Sequence, residues 1–267
     1  MTISENHTKS YSWKVLERLN LFIFILGTVI GSFINVCIYR IPRGESVVYP
    51  PSHCPRCGYS LRPLDLIPLF SYLWLRGRCR KCSTRIPLKY PLVECLTGVM
   101  FLLIFNKFGF TFDFLTAIIL IICLIISTFS DLEHQIIPDE VVIPTIAVGL
   151  LLNILIHWET LPDYLMGFAL GGGIIFLIVV LSRGGMGGGD IKLFATVGMF
   201  LGLRLTVLAM LLSFISGSIA GLILIILNLK KTKDAIPFGP FIALGSVVSL
   251  FMGDRIISWY WGLFFLG

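Results

Sequence analysis

Two aspartates stand at the ends of long apolar runs, where charge is rare in this chain. Asp131 ends one such run, in "ISTFSDLEHQIIPDE", and Asp190 closes the glycine-rich run "GGMGGGD". Ionisable residues at the edge of a membrane span are costly and are functional candidates by default. Two carboxylates held close together share a proton, so one can act as general base on a water while the other acts as general acid. The pattern therefore predicts aspartyl-protease chemistry, which needs no metal and no nucleophilic side chain.

The glycine run and a third acid, Asp139, also have structural explanations. Glycines let the backbone take unusual dihedrals and let a substrate strand or a helix approach closely. Non-helical backbone at this depth needs protein or water around it, which implies a wet cavity beside Asp190. The alternative is a close-packed turn between helices in which Asp190 is only an N-cap.

Asp139 follows Pro138 where the next helix begins, and we interpret it as a structural cap outside the pair.

Four cysteines have the spacing of a metal site. "CPRC" and "CRKC" place the thiols of Cys54, Cys57, Cys79 and Cys82 in a CxxC–x21–CxxC arrangement. Two residues between paired thiols let both sulfurs reach one tetrahedral ion, and two such pairs complete a four-sulfur zinc site. Because four thiolates leave no open position for water, the zinc would be structural. The alternatives are two disulfides or four idle thiols, and disulfides are rare in a reducing cytoplasm.

The composition indicates a membrane protein. Hydrophobic residues make up 56% of the 267 residues and charged residues only 13%, about half of the charged share of soluble domains. The charge-free runs are long enough to cross a bilayer, which needs about 20 apolar residues per span. The predicted class is an all-α polytopic membrane protein with about eight transmembrane helices. The predicted spans are residues 19–38, 91–106, 114–130, 141–157, 164–182, 191–203, 205–229 and 235–253.

The basic residues predict how the chain is oriented. The loop at 39–90 holds ten of the 21 lysines and arginines against two acids, so the positive-inside rule makes this loop cytoplasmic. With eight spans, Asp131, Asp139 and Asp190 then face the same cytoplasmic side. Residues 1–18 form an external tail, and residues 254–267 form an interfacial tail that contains Trp259, Tyr260 and Trp261. The net charge of +6 is explained by topology and anionic lipid headgroups, so we expect the bilayer and no nucleic acid as partner.

Other functions fit the residues less well. A proton-coupled transporter could use Asp131 and Asp190 as a relay, but both acids stand at span ends and the chain shows no repeated halves. "LEHQ" is not the HExxH of zinc metalloproteases. Ser216 and His157 could imitate a serine protease, but their predicted positions lie near opposite membrane faces. A scaffold that docks a partner through the cysteine loop remains an alternative, against which the paired aspartates argue.

Several motifs together resemble the bifunctional prepilin peptidases, or type IV leader peptidases. In order along the chain they are "GSFINVCIYRIPRGESVVYPPSHCPRCG", "DLIPLFSYLWLRGRCRKC", "YPLVE", "DLEHQIIPD", "GMGGGDIK" and "PFGPF". The resemblance covers roughly residues 27 to 245. The GxGD element is shared with presenilin-like intramembrane aspartyl proteases, whereas the cysteine loop is not.

The resemblance implies two activities. The first is removal of a short basic leader from type IV pilin or pseudopilin precursors at the cytoplasmic face of the bacterial inner membrane, with Asp131 and Asp190 as the catalytic pair and residues 91–253 as the peptidase domain. The second is methylation of the new amino terminus with S-adenosylmethionine as donor, associated with the cytoplasmic loop 39–90. The residues that bind the donor are not identified by the sequence.

Two positions depart from the pattern of many relatives. Glu133 stands where many have a second aspartate, and Arg78 stands where lysine is common before the second cysteine pair. Glu133 lies outside the predicted pair. Arginine carries a planar charge and lysine a compact one, so Arg78 bears on the methyl-transfer assignment rather than on cleavage.

Overall fold

The computed structural model describes residues 3–182, 187–231 and 235–265. Its helices are α1 (Ile3–Arg40), α2 (Phe70–Trp74), α3 (Lys89–Phe108), α4 (Phe112–His134), α5 (Asp139–Ile156), α6 (Leu161–Leu181), α7 (Gly188–Ile226) and α8 (Gly239–Phe265). The chain divides into two compact units, Met1–Phe114 and Leu115–Gly267. Within the described residues, seven helices are long and apolar enough to cross a membrane. The protein is therefore a multi-pass, all-α membrane protein, as the composition predicts.

The first unit is built on the pair α1 and α3. Gly27 of α1 lies so close to Gly98 of α3 that a Cβ on Gly27 would be 2.8 Å from the Cα of Gly98. Small residues at such a crossing let two membrane helices pack backbone against backbone. Between the two helices the chain forms the cysteine-rich segment and the short helix α2. The predicted span 19–38 lies inside α1, whose helical structure starts much earlier, at Ile3.

The second unit contains a helix that folds back on itself. α7 is continuous except at Gly202, which has φ 72° and ψ 176°. The rings of Phe194 and Phe214, one on each side of Gly202, have centroids only 6.4 Å apart, whereas twenty residues of straight helix would separate them by about 30 Å. Residues 188–201 and 203–226 are therefore two antiparallel arms joined at Gly202. Counting the arms separately gives the eight predicted segments.

Polar side chains stabilise the turn between these arms. A carboxylate oxygen of Asp163, in the first turn of α6, accepts the backbone N–H of Leu203 at 3.3 Å. The side-chain amide of Asn153 in α5 donates to the carbonyl of Met199 at 2.7 Å. These bonds satisfy backbone groups that the break leaves without helical partners, which is necessary in a membrane. The short first arm also packs on α6, where Gly167 lies against the backbone of Gly198.

The last helix differs from the sequence-based boundary. α8 begins at Gly239 and continues to Phe265, so it includes most of the residues 254–267 that we assigned to an interfacial tail. Residues 254–263 contain only Asp254 and Arg255 as charged side chains and no proline. Nothing in this stretch therefore forces the helix to end near residue 253.

Candidate active site and metal centre

Asp131 lies in the last turn of α4 and is 7% exposed. Its Oδ2 accepts a 2.7 Å hydrogen bond from the backbone N–H of Gly239, the first residue of α8. A Cβ on Gly239 would be 2.9 Å from that same oxygen. Only glycine therefore lets the start of α8 approach the carboxylate this closely.

Asp190 lies in the first turn of α7 and is also 7% exposed. Its Oδ2 accepts the backbone N–H of Gly187 at 3.1 Å. The N-cap of α7 is Gly187 and Asp190 is the third helical residue, so Asp190 is not the N-cap of the structural alternative, and its carboxylate accepts the N–H of the cap residue instead. Asp190 also interacts electrostatically with Asp131, so the structure brings together the two acids that the sequence pairs.

Both carboxylates lie at helix amino termini. Asp190 is in the first turn of α7, and Asp131 accepts a hydrogen bond from the first turn of α8. The partial positive charge of a helix amino terminus stabilises an anion there, most strongly when the group is partly buried. Each carboxylate therefore has a helix amino terminus beside it that stabilises its ionised form.

Part of the glycine run is described by the structure. Gly187 to Gly189 are placed, whereas Gly184, Gly185 and Met186 lie outside the described residues. Gly189 packs under the segment that follows Asp131, because a Cβ on Gly189 would be 2.8 Å from the Cβ of Ile137. Gly188, by contrast, has no neighbour within 4 Å of its Cβ position among the residues that the structure describes. A side chain on Gly189 would therefore collide with Ile137, whereas a side chain on Gly188 would not.

Asp139 is not the helix cap that we predicted. The N-cap of α5 is Pro138, and Asp139 is the first helical residue. Both carboxylate oxygens of Asp139 are 2.6 Å from the Nζ of Lys192, which lies two residues after Asp190. This ion pair and the contact between Ile137 and Gly189 join the start of α5 to the start of α7. The sequence does not predict this role for Lys192, although Lys192 is part of the motif "GMGGGDIK".

An aromatic cluster lies beside the two carboxylates. Phe194 follows Asp190 by one helical turn, and Phe238 directly precedes Gly239. The centroids of Phe194 and Phe238 are 6.4 Å apart, and those of Phe214 and Phe238 are 5.5 Å apart. Phe241 continues the cluster at 6.0 Å from Phe238. The site therefore has one polar part, formed by two acids, next to an apolar wall.

The serine-protease alternative has no support in the structure. The hydroxyl of Ser216 donates to the carbonyls of Leu212 at 2.7 Å and of Ser213 at 3.1 Å, within its own helix. His157 is at the opposite end of α5 from Asp139, and its ring lies 5.4 Å from that of Tyr164. Ser216 therefore satisfies a helical backbone rather than forming a nucleophile–base pair.

The four predicted metal ligands lie together in the first unit. Their sulfur atoms are all within 4.8 Å of one another, and all four thiols are free. Cys54 and Cys82 are 3.8 Å apart, and Cys57 and Cys79 are 3.9 Å apart. A tetrahedral zinc with bonds of about 2.3 Å has sulfur–sulfur edges of about 3.8 Å. The cluster therefore fits zinc, and at these sulfur separations no disulfide joins the four cysteines in this structure.

The two cysteine pairs sit on two similar turns. In the first turn, the N–H of Cys54 donates to Tyr59 and that of Gly58 donates back to Cys54, each at 2.9 Å. In the second turn, Cys79 donates to Thr84 at 2.8 Å and Ser83 donates to Cys79 at 3.0 Å. Such turns aim both sulfurs of a CxxC pair to the same side. The repeated geometry explains why two residues separate the thiols in each pair.

An ion pair joins Arg80 of the second turn, whose side chain is 40% exposed, to Asp65, which follows the first turn. Asp65 has only 2% of its side chain exposed and accepts from Arg80 through Nη2 at 2.7 Å and Nε at 2.8 Å. Burial raises the pKa of Asp65, but the hydrogen bonds from Arg80 and from the backbone of Arg62 outweigh it, so the pKa is lowered overall. The hydrogen bond to Asp65 raises the pKa of Arg80. Both groups therefore remain charged at neutral pH.

Two protein-family models match the chain. The model described as "Bacterial Peptidase A24 N-terminal domain" matches residues 25–108, which include the four cysteines. The model described as "Type IV leader peptidase family" matches residues 118–224, which include Asp131 and Asp190. No solved structure matches the chain.

Curated relatives are similar along nearly the whole length. Proteins named "Prepilin leader peptidase/N-methyltransferase" are 35% identical in Bacillus subtilis (strain 168), over 89% of this chain and 96% of the relative, and 34% identical in Legionella pneumophila, over 95% and 96%. A third relative with this name, from Pseudomonas aeruginosa, is 34% identical over 88% of this chain and 91% of its own length. Similarity of this extent, together with the two model matches, shows that the chain belongs to the type IV leader peptidase family.

Proposed function

We propose that the protein is a membrane-embedded aspartic endopeptidase that removes the short basic leader of type IV pilin-like precursors and then N-methylates the new amino terminus. The observation that carries the proposal is the meeting of two buried carboxylates, from α4 and α7, in a chain of the leader peptidase family. The proposed location is the bacterial inner membrane, with the site at the cytoplasmic face. This orientation rests on the distribution of lysine and arginine.

In the proposed cleavage, Asp131 and Asp190 share one proton. The ionised carboxylate removes a proton from a water molecule as the water oxygen attacks the scissile carbonyl carbon. The protonated carboxyl donates its proton to the carbonyl oxygen, which gives a neutral tetrahedral intermediate. When the C–N bond breaks, the leaving nitrogen takes a proton from the first carboxyl, and a hydroxyl of the intermediate returns one to the second. Two acids of this kind supply both protons without a metal.

The surrounding residues support a peptide substrate with an apolar part. Gly188 has no described residue within 4 Å of its Cβ position, which leaves space for an extended strand beside Asp190, and the partly exposed rings of Phe214 and Phe238 offer an aromatic surface next to it. The contacts of Gly239 and Gly187 with the two carboxylates hold their oxygens in fixed positions. Fixed catalytic groups lower the entropic cost of reaching the transition state.

The methyl-transfer activity is assigned by the relatives' names, which imply a methyl donor. We propose S-adenosylmethionine as this donor and associate the activity with residues 39–90. When bound, this donor supplies an electrophilic methyl group to the free amine. We assign no residue to the donor site.

We further propose that Cys54, Cys57, Cys79 and Cys82 hold a structural zinc ion. The sulfur separations support tetrahedral coordination. A Cys57→Ser variant, purified beside the wild type and a Cys95→Ser control, tests this by metal analysis. Cys95 is exposed and lies outside the cluster. Zinc should fall from about one per chain to well below that only in the Cys57 variant.

A precursor-processing assay tests the main proposal. The purified protein in nanodiscs is incubated with a pilin precursor, with and without S-adenosylmethionine, and the products are identified by mass spectrometry. The proposal requires leader removal in both samples and one added methyl group only in the sample with donor. An intact precursor in both samples would contradict it. The transporter alternative has no support, since the matching models and the relatives named above are peptidases.

A further inference from the structure

The short helix α2 presents an apolar face that the described part of the chain leaves uncovered. Phe70, Leu73 and Trp74 are 56%, 74% and 72% exposed, and their i, i+3, i+4 spacing places them on one side of the helix. The rings of Phe70 and Trp74 stack at 5.9 Å. On the other side, Tyr72 donates its hydroxyl to the carbonyl of Ile86 at 3.3 Å and lies against Gly77. α2 is therefore attached through one face and exposes the other.

The attachment of α2 indicates how deep it lies. The backbone N–H of Leu69, the residue before α2, donates a 2.9 Å hydrogen bond to Oε2 of Glu94. Glu94 is the sixth residue of α3, a helix whose 20 residues form one membrane span. Five residues of helix rise by about 7.5 Å. α2 consequently starts level with the second turn of a membrane span and not out in the water beyond it.

The charges around α2 complement a membrane surface. Residues 41–88 carry eight basic side chains against Glu45 and Asp65, and Asp65 is paired with Arg80. Arg76 and Arg78, both exposed, follow directly after α2. A short apolar face with aromatic residues and neighbouring arginines is typical of segments that lie at the boundary between headgroups and acyl chains.

We propose that the apolar face of α2 inserts into this boundary of the bilayer, at the leaflet where α1 ends and α3 begins, with Arg76 and Arg78 on anionic phospholipid headgroups. The cysteine-rich segment is then held against the membrane at three places: the end of α1, the start of α3 and α2. Each fixed point restricts how far the segment can move from the membrane surface. This proposal concerns only the position of α2 in the bilayer, and it does not depend on the proposed peptidase and methyltransferase activities.

Tryptophan fluorescence of the full chain in nanodiscs tests the insertion. Trp13, Trp158, Trp259 and Trp261 are replaced by phenylalanine so that Trp74 is the only indole. Lipids brominated in the upper part of the acyl chain should lower the emission of Trp74 at least about twofold, and aqueous iodide should have little effect. If the four replacements prevent folding, the difference between the wild type and Trp74→Phe in the same quenching experiment gives the contribution of Trp74.

Two results would overturn the proposal. Quenching by iodide without quenching by brominated lipid means that the face of α2 lies in water. A blue-shifted emission that neither agent quenches means that protein, a second copy or another partner, covers the face.

The arginines are tested in the same assay. Arg76→Gln/Arg78→Gln should weaken quenching by brominated lipid when phosphatidylglycerol is present, and should leave it unchanged in phosphatidylcholine alone. An equal effect in both lipids would remove the headgroup part of the proposal.

Discussion

The backbone N–H of Gly239 donates a 2.7 Å hydrogen bond to Oδ2 of Asp131, a residue 108 positions earlier in the chain. The bond joins the start of the last helix to one of the two carboxylates proposed to cut the substrate. It places the positive end of α8 on Asp131, while Asp190 lies at the positive end of α7. The motif "PFGPF" therefore contributes a backbone group to the site, and not only a bend before a helix.

Replacing Gly239 by alanine should displace the Asp131 carboxylate. The new Cβ would be 2.9 Å from Oδ2 and 3.1 Å from the Cβ of Asp131, so one of the two segments must move. We expect cleavage to slow about 10- to 100-fold, because small displacements of catalytic groups have effects of that size. The measurement is the initial rate of precursor cleavage. Gly173→Ala is the control, since nothing lies within 4 Å of that position. Equal rates for both variants would contradict the role of Gly239.

The glycine run should tolerate alanine at one position and not at the next. Gly188→Ala adds a methyl group to open space, whereas Gly189→Ala places it 2.8 Å from the Cβ of Ile137. We expect Gly188→Ala to stay within about twofold of the wild-type rate and Gly189→Ala to fall at least about tenfold. Both variants change one helical glycine to alanine, so their helix propensities change equally. If both lose activity, the run needs backbone freedom throughout, and the packing explanation is wrong.

Exchanging the charges of Asp139 and Lys192 should restore most of the activity that either single charge reversal removes. Its side chains are about half exposed, so the pair stabilises the protein by about 1 kcal/mol or less. Asp139→Lys and Lys192→Asp each place like charges side by side, and we expect each to lower kcat about two- to fivefold with little change in KM. The double variant restores opposite charges and should recover most of the loss. A double variant that is as slow as the slower single variant would show that the ion pair does not position the start of α7.

The sequence predicts the spans and the paired acids because both depend on local composition. Charge-free runs of sufficient length mark the helices. The predicted boundary between 191–203 and 205–229 falls at Arg204, close to the break that the structure has at Gly202. Asp131 and Asp190 stand at span ends on the same side of the membrane. By contrast, the contact of Gly239 with Asp131 and that of Asp139 with Lys192 join distant segments. No local pattern determines which glycine or lysine lies opposite a given carboxylate.

The boundaries of α1 and α8 could not be predicted for a different reason. Hydropathy locates the part of a helix that lies in lipid, whereas a helix can continue beyond the bilayer wherever no residue stops it. α1 extends towards Ile3 and α8 to Phe265 in this way. An acid that follows a proline often caps a helix, which is why the sequence predicts a cap at Asp139, but here its carboxylate binds Lys192 of another helix.

The ion pair of Asp65 and Arg80 should make the cysteine-rich segment sensitive to acid. The pKa of Asp65 is lowered in the folded protein. Its stabilisation is therefore complete above the unfolded value, about pH 4, and is lost as the pH falls through the lower folded value. Asp65→Asn should lower the free energy of unfolding of this segment by about 1 kcal/mol or less at neutral pH, because the exposed side of Arg80 is screened by water. The difference from the wild type should shrink as the solution is acidified below about pH 4.

Urea unfolding followed by the fluorescence of Trp74, in the chain with that single tryptophan, measures this difference at each pH. Glu45→Gln is the control, because Glu45 is exposed in the same segment. A difference that is unchanged across the acidic range would show that the charge of Asp65 does not stabilise the segment.

The central claim is that Asp131 and Asp190 together cut the precursor. The most direct measurement is leader removal from a co-expressed pilin precursor by the wild type, Asp131→Asn, Asp190→Asn and Asp139→Asn, scored on a gel with the amount of each enzyme determined in parallel. Asparagine keeps the shape of the side chain but neither gives nor takes a proton in this range. The account predicts that the first two variants accumulate uncut precursor at normal protein levels, whereas Asp139→Asn still cuts. Cleavage by either the Asp131 or the Asp190 variant at a rate near that of the wild type would contradict the two-aspartate mechanism.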